Sequence, residues 1–105
     1  MNLREAARGQ DCMVRLPDIC NGDPETTVLA HIGIAGIRGM GFKPVDLCGT
    51  WACSSCHAVI DGGKPSLSRD QVRAYAMDGV LRTLTHIATR GTLSVRNNQI
   101  YWSER

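Results

Sequence analysis

The sequence predicts a small α+β domain in which two short strands and a helix are held together by cysteines and followed by a long C-terminal helix. Three observations point there. Cysteines come in two pairs, Cys12-x7-Cys20 and Cys53-x2-Cys56. Between the pairs, "TTVLAHI" (26–32) is rich in β-branched residues with period-two alternation. Beyond them, apolar groups at Val72, Ala76, Val80, Leu84 and Ile87 recur at helical spacing.

Taken in order, "NLREAARG" reads as a helix of about two turns, with Leu3, Ala6 and Ala7 on one side and Gly9 as its left-handed stop. Pro17, Asn21-Gly22 and Asp23-Pro24 punctuate the next stretch, which sets Cys12 and Cys20 on the limbs of a tight loop. In the strand that follows, alternation puts Val28, Ala30 and Ile32 on one face and Thr27, Leu29 and His31 on the other. "GIAGIRGMGFKP", with four glycines, predicts a loop, and "DLCGTWA" a returning strand. Ser54 or Ser55 can cap a helix over "CHAVID", stopped by Gly62-Gly63 and Pro65. Ser68 caps the longest helix, which has Asp70 in its first turn, closes at Gly91 and should cover the strands with its apolar stripe. "TLSVRNNQIYW" is then a terminal strand or an ordered tail with a turn at Asn97-Asn98.

A chain of 105 residues with no repeat or low-complexity linker is expected to form a single domain over 1–105. Only five aromatic residues are available as large packing pieces, so a metal staple would help the core. A formal charge of +2 is too mild to indicate a nucleic-acid partner by itself, but from Lys64 onward seven cations face three acids, a balance suited to phosphates. "MNLREAARGQDC" has no signal-peptide character and "VLAHIGIAGI" is too short to span a bilayer, so a cytoplasmic protein with no membrane partner is expected. Under reducing conditions five cysteines favour thiolate metal binding over a disulfide framework.

Cys53-Ser-Ser-Cys56-His57 by itself fits covalent haem attachment, a dithiol redox pair, half of a zinc site, or the head of a metal-bearing catalytic helix. Haem loading goes with exported chains, and a redox dithiol calls for a thioredoxin-like βαβ alternation that this sequence lacks. Two thiol pairs on two chain segments are the usual way to build a tetrahedral zinc site, so Cys12, Cys20, Cys53 and Cys56 are the expected ligands of a structural Zn²⁺. Binding there would contribute on the order of 10 kcal/mol to folding. Cys48 is the spare thiol, expected to pack as a small hydrophobe. His57 and Asp61, four apart on a helix, present side by side and can share a divalent cation.

The order of cysteine pair, strand with His31, glycine-rich loop, second strand, cysteine pair and helix with His57 resembles the HNH, or ββα-metal, nucleases. The closer resemblance is to the YbcO-like family of prophage-encoded candidate nucleases, carried by "LREAARGQDC", "CNGDPETTVLAHI", "GFKPVDL" and "ACSSCHAVID". It covers residues 2–61 and extends to the long helix in pattern. The resemblance implies an HNH-like core, His31 as general base, the four cysteines as zinc ligands and His57 as the metal-binding histidine at the start of the helix. Ala30 stands where many HNH enzymes carry an acid or histidine, and Asp46 is the nearest counterpart of the motif's middle asparagine. The expected function is a metal-dependent endonuclease acting on nucleic acid, with DNA the expected substrate. In that mechanism Mg²⁺ or a similar cation sits on His57 and Asp61, with Asp46 as a further candidate ligand, and arginines beyond Arg69 grip the backbone. The alternative is a non-catalytic, zinc-stabilised nucleic-acid-binding module.

Overall fold

The computed structural model describes residues 1–33 and 45–105; the expected glycine-rich loop over 33–44 lies, beyond Gly33, outside the described residues. The elements are α1 (Leu3–Ala7), β1 (Val28–His31), β2 (Gly49–Ala52), α2 (Ser54–Gly62), α3 (Arg69–Arg90), β3 (Gly91–Arg96) and β4 (Gln99–Glu104), with short 3₁₀ turns at Pro24–Thr26 and Asp46–Cys48. It is a small α+β fold with a long C-terminal helix, as the periodicity predicts.

A helix as short as α1 cannot stand alone. A reciprocal cap holds it: the Asn2 side chain accepts from the Glu5 N–H at 2.8 Å, and the Glu5 carboxylate accepts from the Asn2 N–H at 3.3 Å. Burial of Leu3, Ala6 and Ala7 does the rest. β1 and β2 pair antiparallel, with Leu29 opposite Trp51 and His31 opposite Gly49. The expected alternation needs correcting: Val28 is 39% exposed, whereas Leu29, expected on the polar side, is buried. The reason is that both faces of this ribbon are covered. Ala30 belongs to the cluster of Cys12, Cys53, Cys56 and Val59, while Leu29 joins Leu3, Ala6, Trp51, Ile87 and Trp102.

The α2 cap differs too. Cys53, not a serine, is the N-cap, its sulfur accepting from the Cys56 N–H at 3.4 Å. In α3, Ser68 and Gln71 cap reciprocally, and Val72, Ala76, Val80 and Ile87 are buried as the spacing predicts. The stripe also takes in Gly79 and Thr83. Thr83 Oγ1 accepts from the Trp51 N–H at 3.0 Å and donates to the Gly79 carbonyl at 2.8 Å, which ties the helix to β2.

The C-terminal stretch forms a complete hairpin rather than a single strand. Asn97 and Asn98 both have left-handed backbones, φ 51° and 63°, the turn that matches strand twist. Trp102 anchors it, donating from Nε1 to the Ile87 carbonyl at 3.0 Å. The outer edge of β4 is occupied by the N-terminus, where the Trp102 N–H donates to the Met1 carbonyl at 2.8 Å. No helix among the described residues is long and apolar enough to cross a membrane.

The close approach of α3 to the ribbon yields a contrast between two helical glycines. A Cβ on Gly79 would lie 2.5 Å from Thr50 Oγ1 and 3.1 Å from Val14 Cγ2, whereas one on Gly62 meets nothing within 4 Å among the described residues. Gly79→Ala should destabilise by about 1–3 kcal/mol through overpacking, despite alanine's better helix propensity. Gly62→Ala should be neutral or stabilising by up to about 1 kcal/mol, both read from denaturant midpoints.

Candidate functional site

The four cysteines expected to bind zinc converge. Their sulfur atoms all lie within 4.8 Å of one another, and Cys20 and Cys53 Sγ are 3.9 Å apart. A Zn–S bond of about 2.3 Å implies a tetrahedral edge of about 3.8 Å, so the donor set fits zinc in chemistry and in scale. Two local devices aim the thiols. In the first segment, left-handed backbones at Arg15 and Asp18 and bonds from the Ile19 and Cys20 N–H groups to the Leu16 carbonyl (3.2 and 3.0 Å) fold the limbs together. In the second, Cys53 and Cys56 are the cap and third residue of α2.

Asn21 locks the segments to each other. Its backbone N–H donates to Cys53 Sγ at 3.5 Å, and its side-chain amide donates to Ser54 Oγ at 3.0 Å and Ser55 Oγ at 3.3 Å. The electrostatics suit a metal. Burial pushes the Cys53 thiol up, but N–H groups of Cys56 and Asn21 outweigh it and bring it down to about 7. Burial leads in raising Cys20 and Cys56, with the neighbouring sulfur charge of Cys12 adding to it. A cluster in which one thiolate forms readily and its neighbours resist ionisation fits an arrangement that a cation completes. Cys48 lies in the 3₁₀ turn before β2, half-buried and outside the cluster.

The two histidines occupy separate pairs. His31 Nε2 is 2.7 Å from Asp46 Oδ1, and the same oxygen accepts from Arg4 Nε at 3.4 Å. His57 Nε2 is 3.1 Å from Asp61 Oδ2, with side chains 38% and 67% exposed. Among the described residues the cysteines are the one group of three or more His, Cys, Asp or Glu donors close enough for a single ion. Asp46 therefore serves His31. His57 and Asp61 supply two donors, enough for a cation whose other positions are filled by water or phosphate oxygens.

Ala30 packs with α2's Cys56 and Val59, and its neighbour Leu29 projects to the opposite side of β1, toward α1. His31, at the end of β1, meets Asp46, which Arg4 of α1 also reaches. Sequence reasoning missed Arg4 and the pairing of Asp46 with His31, because no spacing rule links positions 4, 31 and 46. It also missed Asn21, for which the Asn-Gly turn offered a signal of backbone geometry but none of its partners.

Comparison with known proteins follows the same segments. A family model described as "Putative nuclease YbcO" matches residues 1–92. Curated relatives bearing that name, from Escherichia coli strain K12 and from Enterobacteria phage 82, are each 49% identical over 82 residues, 78% of this chain and 85% of theirs. A solved structure described as a "putative bacteriophage protein" from Escherichia coli K-12 is 43% identical with a TM-score of 0.67, covering 82% of this chain and 95% of that one. Residues 93–105, most of the β3–β4 hairpin, lie beyond the family match.

Serine at Cys12, Cys20, Cys53 or Cys56 should abolish tight zinc binding and cooperative unfolding, whereas Cys48→Ser should retain one zinc per chain, as read by elemental analysis and circular dichroism. Protons compete with the metal for sulfur, so zinc affinity should rise with pH and weaken further below about pH 7, where Cys53 also holds its proton. Competition titration against a chelator at several pH values reads this.

Proposed function

Because this chain belongs to the family described as "Putative nuclease YbcO", we propose that it is an endonuclease that hydrolyses phosphodiester bonds of nucleic acid, DNA in the first instance, in the cytoplasm. The observation that carries the reading at residue level is the 2.7 Å contact between His31 Nε2 and Asp46 Oδ1. An ionised carboxylate accepts, so Nε2 carries the proton and the neutral ring keeps its lone pair on Nδ1. His31 is thus a base of fixed tautomer and orientation, the role that a buried acid gives a histidine in other hydrolytic sites. Asp46 is only 12% exposed, which holds the pair in place.

In the reaction, His31 Nδ1 takes a proton from water as its oxygen bonds to phosphorus. The bond from phosphorus to the leaving sugar oxygen breaks, and that oxygen takes up a proton from a solvent water. His57 and Asp61 are the residues proposed to hold a divalent cation such as Mg²⁺. A cation bound there would supply positive charge for phosphate oxygens. The four cysteines would hold a structural Zn²⁺ that ties the start of α2 to the N-terminal segment.

A second reading, a zinc-stabilised nucleic-acid-binding module without catalysis, is favoured by one observation: among the described residues no third donor joins His57 and Asp61. One experiment separates the two. Zinc-loaded protein is assayed on plasmid and oligonucleotide substrates with Mg²⁺ or Mn²⁺, beside His31→Ala, Asp46→Asn and His57→Ala. The nuclease reading expects His31→Ala to lose about 10²–10⁴-fold in rate with zinc content and melting temperature retained. Asp46→Asn should also lose rate, since an amide can donate to Nε2 and favour the wrong tautomer. Parental cleavage by His31→Ala rejects the assignment, and binding without cleavage by any of the proteins selects the second reading.

A further inference from the structure

Arg4 lies on the exposed side of α1 and reaches the acid that His31 meets. Its Nε donates to Asp46 Oδ1, the oxygen that holds His31. One carboxylate therefore positions an imidazole and a guanidinium side by side, and the Arg4 Nη groups take no partner among the described residues. Arg4 also lines a groove of about 480 Å³, together with Arg8, Glu5, Glu25, Thr27 and Val28. Arg4 comes from α1 and Arg8 from its C-cap, so both guanidinium groups border the groove. Thr27 is 3% exposed, and its hydroxyl has no hydrogen-bond partner among the described residues. A buried hydroxyl without a partner is costly unless something completes it. Of the two acids, Glu5 is committed to the cap of α1, whereas the Glu25 side chain has no such bond.

We propose that this groove between α1 and β1 is the track for a phosphodiester backbone, with Arg4 binding the phosphate nearest His31 and Arg8 the next. The inference rests on the nuclease reading for the place of His31 and deepens it by naming the surface that carries substrate. A guanidinium held through Nε presents its two Nη groups as a fork, the geometry that suits phosphate oxygens. At the reacting phosphate, that fork sits where negative charge accumulates in the transition state. Thr27 lines the same groove, with its hydroxyl buried in the wall. Glu25 opposes the phosphate charge and gives the groove a test of opposite sign.

The test measures fluorescence anisotropy of labelled single- and double-stranded oligonucleotides against zinc-loaded protein in a His31→Ala background, over a range of salt. Arg4→Ala and Arg8→Ala should each weaken binding about tenfold and reduce the salt slope by about 0.7 for single strands or 0.9 for duplex. Arg4→Lys should recover part of the loss, and Glu25→Gln should tighten binding. Weakening by Arg69→Ala and Arg73→Ala with no effect at Arg4 or Arg8 would put the backbone along α3 and overturn the groove. So would a failure of the protein to bind either oligonucleotide at low salt. Parallel cleavage assays on proteins retaining His31 keep the two ideas apart. Cleavage that is indifferent to Arg4 and Arg8 overturns the groove and spares the nuclease. Groove-dependent binding without cleavage keeps the groove and removes the nuclease.

Discussion

Four sulfurs drawn from two distant segments to within 4.8 Å of one another are the constraint on which the rest of this small fold depends. Cys53 shows why. It follows the last residue of β2, caps α2 with its own sulfur, receives the Asn21 N–H and touches Cys20. Strand end, helix start and the looped N-terminal segment are therefore fixed by one side chain. A domain with so few large aromatic residues gains from such a staple, because its apolar area alone offers little margin against chain entropy.

Around that clip the β1–β2 ribbon is covered on both faces, and the two coverings have different chemistry. One face meets α2 and the thiols; the other meets α1, Trp51 and Trp102. His31, at the end of β1, meets Asp46, and His57, on α2, meets Asp61, so each histidine has its own carboxylate. This arrangement makes α1 more than an N-terminal appendage. Its apolar residues complete the core, while Arg4 reaches the acid that holds His31. The hairpin contributes from below: β4 takes the N-terminus along its edge and keeps α1 in register with the ribbon.

Much of the architecture was legible because it is local. Ser68 before an acid-led helical stripe, Gly91 at its end, and the Asn97-Asn98 turn are decided within a few residues. The thiol pairing was also legible, since ligand type and spacing restrict the ways four cysteines can meet. Alternation misled at Leu29 because a two-state pattern assumes one wet face, and α1 removed it. Serine capping misled at α2 because the competing cap, a sulfur, serves a second purpose that propensity does not encode.

By itself, then, the sequence determined the element types, the zinc-type ligand set and the neighbourhood of His57 and Asp61 on one helix face. Only the tertiary structure decided that His31 would meet Asp46, that Arg4 would share that acid, and that a groove would run along α1. Helix caps and turns are set by neighbours in the chain, within reach of a pattern. Contacts among residues 4, 31 and 46 depend on how two faces of a ribbon are covered, and that is settled by burial of apolar surface across the whole domain.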